Sequence, residues 1–215
     1  MNWFCALLTS SIGKKVQVAL AGLLLCGFLV SHLAGNLLLF GGAPVFNRYA
    51  HALESNPLLP AAEILLALLF LAHIVSAVKV RWENRKARPE GYQARQWAGG
   101  RTVGSATMSW TAALVLVFVV VHVRTFRFGD HSGDLHRFVL DKFQYAPYAL
   151  FYLVSMAALA LHLSHGFQSA FRSLGLEHPK YTPLVLHGGM ALAAVLAGGF
   201  AAIVIWAGWM TGVNG

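Results

Sequence analysis

The sequence predicts an all-α integral membrane protein with five transmembrane helices. Three observations carry this: 57% of the 215 residues are hydrophobic, only 11% are charged, and the mean hydropathy is +0.61. An ordinary soluble domain is far less apolar. A membrane-spanning helix uses roughly 20 apolar residues, so the uncharged stretches account for five spans and leave no room for a dinucleotide, flavin or iron–sulfur domain. Chemistry on a water-soluble substrate would need a partner protein.

The spans follow in order. Residues 16–40 come directly after Lys14 and Lys15, which separate them from the short apolar patch 3–8. That arrangement fits a cleaved signal peptide poorly, and the amino terminus reads as uncleaved and cytoplasmic. Residues 58–78 open with Pro60 in the first turn, where a missing N–H costs nothing, and contain Glu63, the one charged residue inside a span. Residues 102–123 and 146–171 are uncharged, and 183–210 again open on a proline, Pro183. The expected organisation is one integral membrane domain over residues 1–215.

Basic residues orient the chain. With the amino terminus inside, Lys14, Lys15, the run 79–101, Arg172 and Lys180 are cytoplasmic, eleven of the sixteen basic residues, while Arg48, Arg124, Arg127, Arg137 and Lys142 fall outside. The formal charge of +8 therefore belongs to loops facing anionic lipid and a docked partner, not nucleic acid. Cys5 and Cys26 build neither a disulfide framework nor a cysteine-ligated cluster, and no Cys-x-x-Cys-His occurs for covalent haem attachment.

Ten histidines are the anomaly. His32, His73, His122 and His162 lie on spans one to four among apolar residues, with His165 one turn beyond His162. A lone intramembrane imidazole usually hydrogen-bonds a neighbouring helix, but one on each of four spans is a ligand pattern. With carboxylates and thiolates nearly absent, the setting suits low-spin haem with two axial histidines. At 1.5 Å per residue His32 lies roughly 25 Å from Lys15, and His122 precedes outer Arg124 by two residues, so these two share the outer half. His73 is about 9 Å from Lys79 and His162 about 15 Å from Arg172, which puts both in the inner half. His165, about 10 Å from Arg172, matches His73 in depth slightly better than His162 does, and spacing leaves the two open. Four helices thus form a bundle holding two haems. Gly22, Gly27, Gly35 and Gly166 would let a porphyrin lie against backbone or would serve helix packing. Haem propionates would find Lys79, Arg81, Arg172, Lys180 and His187 inside and Arg48, Arg124 and Arg127 outside.

Three segments carry a family resemblance: Ser31 to Asn36 (SHLAGN), Phe46 to Glu54 (FNRYAHALE) and Leu161 to Phe171 (LHLSHGFQSAF). Over almost its whole length the chain resembles the single-chain, five-helix, two-haem cytochrome b that anchors succinate dehydrogenase and quinol:fumarate reductase to the membrane. The resemblance implies two haem b groups, with His32 and His122 ligating the outer one and His73 and His162 the inner, and His165 in a supporting role. It also implies a flavoprotein subunit and an iron–sulfur subunit as partners, a place in the bacterial inner membrane, and electron transfer to a membrane quinone, with menaquinone expected. A homo-oligomer of the complex is compatible with it. The quinone site needs an acid or base because protons accompany the electrons. Glu54 is the candidate and Glu63 the runner-up. Some fumarate-reducing relatives have a glutamate where this chain has Ala160, and its absence tilts the direction toward succinate oxidation.

Alternatives remain. A diheme anchor of a hydrogenase, formate dehydrogenase or nitrate reductase would share the haems and differ in partners. A cytochrome bc-type b protein would put two histidines on each of two helices. A histidine-lined transporter should show more intramembrane polar groups.

Overall fold

The computed structural model describes residues 9–87 and 103–210, all in helices and short connections. Helix α1, Ser11–Asn36, starts where Ser10 Oγ accepts the Gly13 N–H at 2.9 Å. It tightens into a 3-10 turn over Leu37–Gly41, and Gly42, at φ +81°, turns the chain into α2, Ala43–Glu54. Then come α3 (Leu59–Lys86), α4 (Val103–Phe126), α5 (Leu135–Gln144), α6 (Ala146–Ser173) and α7 (Thr182–Met210). Five helices are long and apolar enough to cross a membrane: α1 with its 3-10 turn, α3, α4, α6 and α7. Below, the end of the bundle where α1 begins is the amino end and the opposite one the far end.

Two features differ from the sequence reading. Helix α3 runs eight residues beyond residue 78, carrying Lys79 and Arg81 exposed, and Glu83 of this extension pairs with Lys14 of α1. Loss of apolar character marks where a helix leaves the hydrocarbon, not where it stops, because Lys, Arg and Glu are good helix formers. The basic run is therefore helical as far as Lys86, and its remainder, like Cys5 and the patch 3–8, lies outside the described residues. The far-end connections, moreover, contain the amphipathic helices α2 and α5. Helix α2 buries Phe46 and Ala50, and α5 buries Val139 and Phe143. Glu54 is thus the last residue of a helix, not a loop residue.

Packing defines the bundle. Helix α6 lies against α1, α4 and α7, and α1 also lies against α3. Among the described residues neither α3 with α6 nor α1 with α4 makes an extensive contact. Around the bundle the order is therefore α3, α1, α6, α4, with α7 outside against α6 and α1. Close approach explains two glycines of α7: a Cβ at Gly199 would meet Leu33 Cδ2 at 2.8 Å and one at Gly189 would meet Phe167 Cδ1 at 2.8 Å. Leu65, Leu68 and Leu71 of α3 and Trp110, Val117 and Val120 of α4 stay exposed, as an apolar medium allows.

Candidate functional site

Helices α1 and α4 stand on one diagonal of the four-helix arrangement and α3 and α6 on the other. Each diagonal joins two of the span histidines. His32 of α1 and His122 of α4 bring their ring centroids to 5.8 Å, with the ring planes at 89°. His73 of α3 and His162 of α6 lie within range of each other although their helices share no extensive contact. Because α1 and α4 run opposite to α3 and α6, the first pair sits toward the far end and the second toward the amino end.

The imidazoles are held differently. His73 Nδ1 donates to the backbone oxygen of Val18 at 3.2 Å, an oxygen that only accepts, so Nδ1 carries the proton and Nε2 keeps its lone pair. Gly22 makes this approach possible, since a Cβ there would lie 3.1 Å from His73 Cε1. His122 Nδ1 lies 3.2 Å from the Tyr152 hydroxyl, which is 2.9 Å from that of Tyr148. Phe118 and Phe126 pack beside the His122 ring, and Phe28 stacks on His32 at 5.3 Å. Asn36 Nδ2 donates to the His32 backbone oxygen at 2.8 Å and lies 3.4 Å from its Nε2. His162 Nδ1 and His165 Nδ1 are buried without a hydrogen-bond partner. The backbone of His165 lies over Gly104 of α4, where a Cβ would meet the His165 Cβ at 3.0 Å, and both His73 and His165 lie near His162.

The donor set limits what could bind. Among the described residues no group of three His, Cys, Asp or Glu side chains could hold a metal ion by itself. Paired imidazoles suit a metal whose equatorial positions are filled by a macrocycle, which needs only two axial donors. Of the glycines singled out, Gly22 and Gly35 make room for side chains. A Cβ at Gly35 would run into the Tyr49 hydroxyl of α2, so this glycine lets α2 fold down onto α1. Gly27 faces open space, and Gly166 has only Met108 Cε at 3.7 Å.

The far end gathers the two candidate acids. Arg127, just beyond α4, donates through Nε at 2.5 Å and Nη2 at 3.2 Å to Glu63 of α3. This hydrogen bond, with the charges of Glu63 and Glu54, holds the guanidinium pKa above its ordinary value. Glu63 therefore sits at the boundary in an ion pair. Glu54 lies 3.4 Å from His131 Nε2. Asp134 caps α5 by accepting the Arg137 N–H and also accepts from Asn47 Nδ2 of α2, and these two donors hold its carboxyl below the usual carboxylate range. Asn47 Oδ1 in turn accepts the His136 N–H, locking α2 to α5. Sequence reading missed Tyr148, Tyr152 and His131. Tyr152 falls about three turns before His162 on the same helix, a spacing that could have been checked, but nothing local marks His131.

Over 145 residues, 66% of this chain, the sequence is 28% identical to the succinate dehydrogenase cytochrome b558 subunit of Bacillus subtilis (strain 168), covering 69% of that protein. The chain is thus similar to a succinate dehydrogenase cytochrome b subunit. Its five apolar helices are consistent with a cytochrome b anchor, and the similarity supports a membrane anchor cytochrome within an enzyme complex. No protein-family model matches the chain, and no solved structure does. The two diagonals bring half-buried imidazoles toward each other at two levels of the bundle.

Proposed function

We propose that this chain is the diheme cytochrome b anchor of a succinate:quinone oxidoreductase, carrying electrons from an iron–sulfur subunit to a membrane quinone. The observation that carries this reading is the pair of histidine diagonals. They offer two sets of two imidazoles between helices without extensive mutual contact, in a chain similar to a cytochrome b subunit. The relative's name implies haem b, and haem iron supplies one-electron redox chemistry when bound. His32 and His122 would hold the far-end haem and His73 and His162 the amino-end one. The flavoprotein and iron–sulfur subunits would dock at the amino end, read as cytoplasmic, and succinate chemistry would belong to them.

The chain's own residues prepare this. Val18 O fixes His73 in the tautomer whose Nε2 is free to ligate, and Tyr152 does the same for His122 when its own proton goes to Tyr148. Glu54, at the far end, is the proposed acid of the quinone site, with Glu63 committed to Arg127.

Purification of the intact complex in mild detergent tests the reading. Flavoprotein and iron–sulfur subunits should co-purify, and a pyridine haemochrome assay should find two extractable haems per chain. One haem, or co-purification with hydrogenase, formate dehydrogenase or nitrate reductase subunits, would overturn it.

Tyr152→Phe isolates the hydrogen bond to His122. The variant should keep both haems, lose about 1 kcal/mol of stability for the missing bond, and shift the reduction potential and low-spin electron paramagnetic resonance signal of the far-end haem alone. An unshifted far-end haem would rule out Tyr152 as its tuning group.

A further inference from the structure

We infer that α7, the span that belongs to neither histidine diagonal, supplies a positioning residue for the far-end haem: Phe200 sets the plane of the His32 imidazole. The inference rests on the diheme reading above and adds a side chain to its far-end site. The Phe200 ring lies 5.7 Å from that of His32, with the planes at 42°. It reaches this place because α7 comes close to α1 at the preceding residue. A Cβ at Gly199 would meet Leu33 Cδ2 at 2.8 Å, and Leu33, itself buried, follows His32 in the chain. Ala193, Leu196 and Ala197 are buried and share with Phe200 the spacing of one helix face, so the ring is carried on a tightly packed element.

His32 needs such a neighbour. The torsion that turns an imidazole about its Cβ–Cγ bond is broad, so the surroundings decide the plane of the ring. Asn36 Nδ2 lies 3.5 Å from Nδ1 and 3.4 Å from Nε2, in line with the lone pair of neither, and its short hydrogen bond goes to the His32 backbone oxygen at 2.8 Å. Phe28, one turn earlier, stacks on the ring at 5.3 Å and 17° but belongs to the same helix. Phe200 is the aromatic contact that ties the ring to another helix besides α4. His122 is held differently, with its Nδ1 3.2 Å from the Tyr152 hydroxyl of α6 and Phe118 and Phe126 of its own helix beside it. The two imidazoles thus take their orientations from different helices, and their planes stand at 89°.

That angle has an electronic consequence. Residues behind the ligands of a metal fix the orientation of those ligands and so tune the metal. Axial imidazoles at right angles leave two d orbitals of a bound low-spin iron nearly equal in energy, and the electron paramagnetic resonance signal is then at its most anisotropic. Turning either plane toward the other separates the orbitals. Because 89° is already the extreme, any rotation of His32 that follows loss of the Phe200 ring can only lower the largest g value. The packing of α7 is in this way coupled to the electronics of the far-end haem.

The test reads haem content and low-spin resonance signals in the intact complex, the far-end signal being the one that His122→Ala abolishes. Phe200→Leu should keep both haems, lower the largest g value of the far-end signal and leave the amino-end signal in place. Phe200→Tyr, which retains the ring, should stay at the wild-type value. Val204→Ala removes a buried contact of α7 on the side that faces α5 and α6 and should move neither signal, which separates the positioning of His32 from general packing of the helix. A far-end signal in Phe200→Leu that is unmoved or moves to a higher g value overturns the inference and leaves the diheme reading standing, as does an equal shift in Val204→Ala. Should Phe200→Leu lose the far-end haem, Phe200→Tyr decides: a wild-type signal upholds the inference and a shifted one overturns it. A wild-type complex with fewer than two haems sinks the diheme reading and this inference with it.

Discussion

Replacing His122 by alanine is expected to lower the haem content of the intact complex from two per chain to one, with His32→Ala removing the same haem. His73→Ala and His162→Ala should remove the other. The expectation follows from the diagonals. The rings of His32 and His122 lie 5.8 Å apart, and the histidines near His162 are His73 and His165. A macrocyclic iron that loses one of two axial imidazoles becomes five-coordinate and high-spin or leaves altogether. Spectra of the retained haem should be unchanged, because the two pairs share no histidine. His165→Ala is the informative control. Its Cβ packs over Gly104 of α4 and it is not one of the four proposed ligands, so both haems should persist. Loss of a haem in His165→Ala with both retained in His162→Ala would reassign the amino-end ligand.

The second large effect is expected of Glu54→Gln. This substitution preserves shape and removes the carboxylate that faces His131 Nε2. Quinone-linked turnover should fall about 10²-fold, equivalent to about 2.7 kcal/mol of transition-state stabilisation, while succinate oxidation with an artificial acceptor stays at its normal rate. Glu63→Gln should act differently. It frees Arg127 from its two hydrogen bonds and leaves the Glu54–His131 contact in place. Unchanged quinone turnover in Glu54→Gln would direct the search to the amino end, around the exposed Trp82 and His187.

The five spans were legible because an apolar layer imposes a length on every helix that crosses it, and no tertiary contact is needed to see that. The common level of His32 and His122 was legible for a similar reason: helical rise converts residue number into depth, and their rings lie side by side in the structure. Rotation about each helix axis was not legible. The choice between His162 and His165 depends on which neighbour each faces, and so depends on packing that spacing does not encode. The roles of Gly22 and Gly35 were hidden likewise, since the residues they accommodate, His73 and Tyr49, lie 51 and 14 positions away. Helices α2 and α5 escaped notice because each is short and polar on one side, so hydropathy registers only a loop. His131 was invisible because its partner Glu54 is distant in sequence and nothing near either residue announces the contact.

Helices α3 and α4 are consecutive in the chain, yet their main packing partners differ: among the described residues α3 rests chiefly on α1 and α4 on α6, while Arg127 reaches Glu63 at the far end. The covalent link between them is therefore not what holds either helix in place. Residues 87–102 join them, and the contacts that place each helix lie elsewhere, within α1–α3, within α4–α7 and across α1 and α6. An affinity tag or a small reporter domain spliced there would leave the α1–α6 contact, which joins the two halves, undisturbed. By the same logic the chain is a natural candidate for division into two polypeptides, α1–α3 and α4–α7, that find each other in the bilayer.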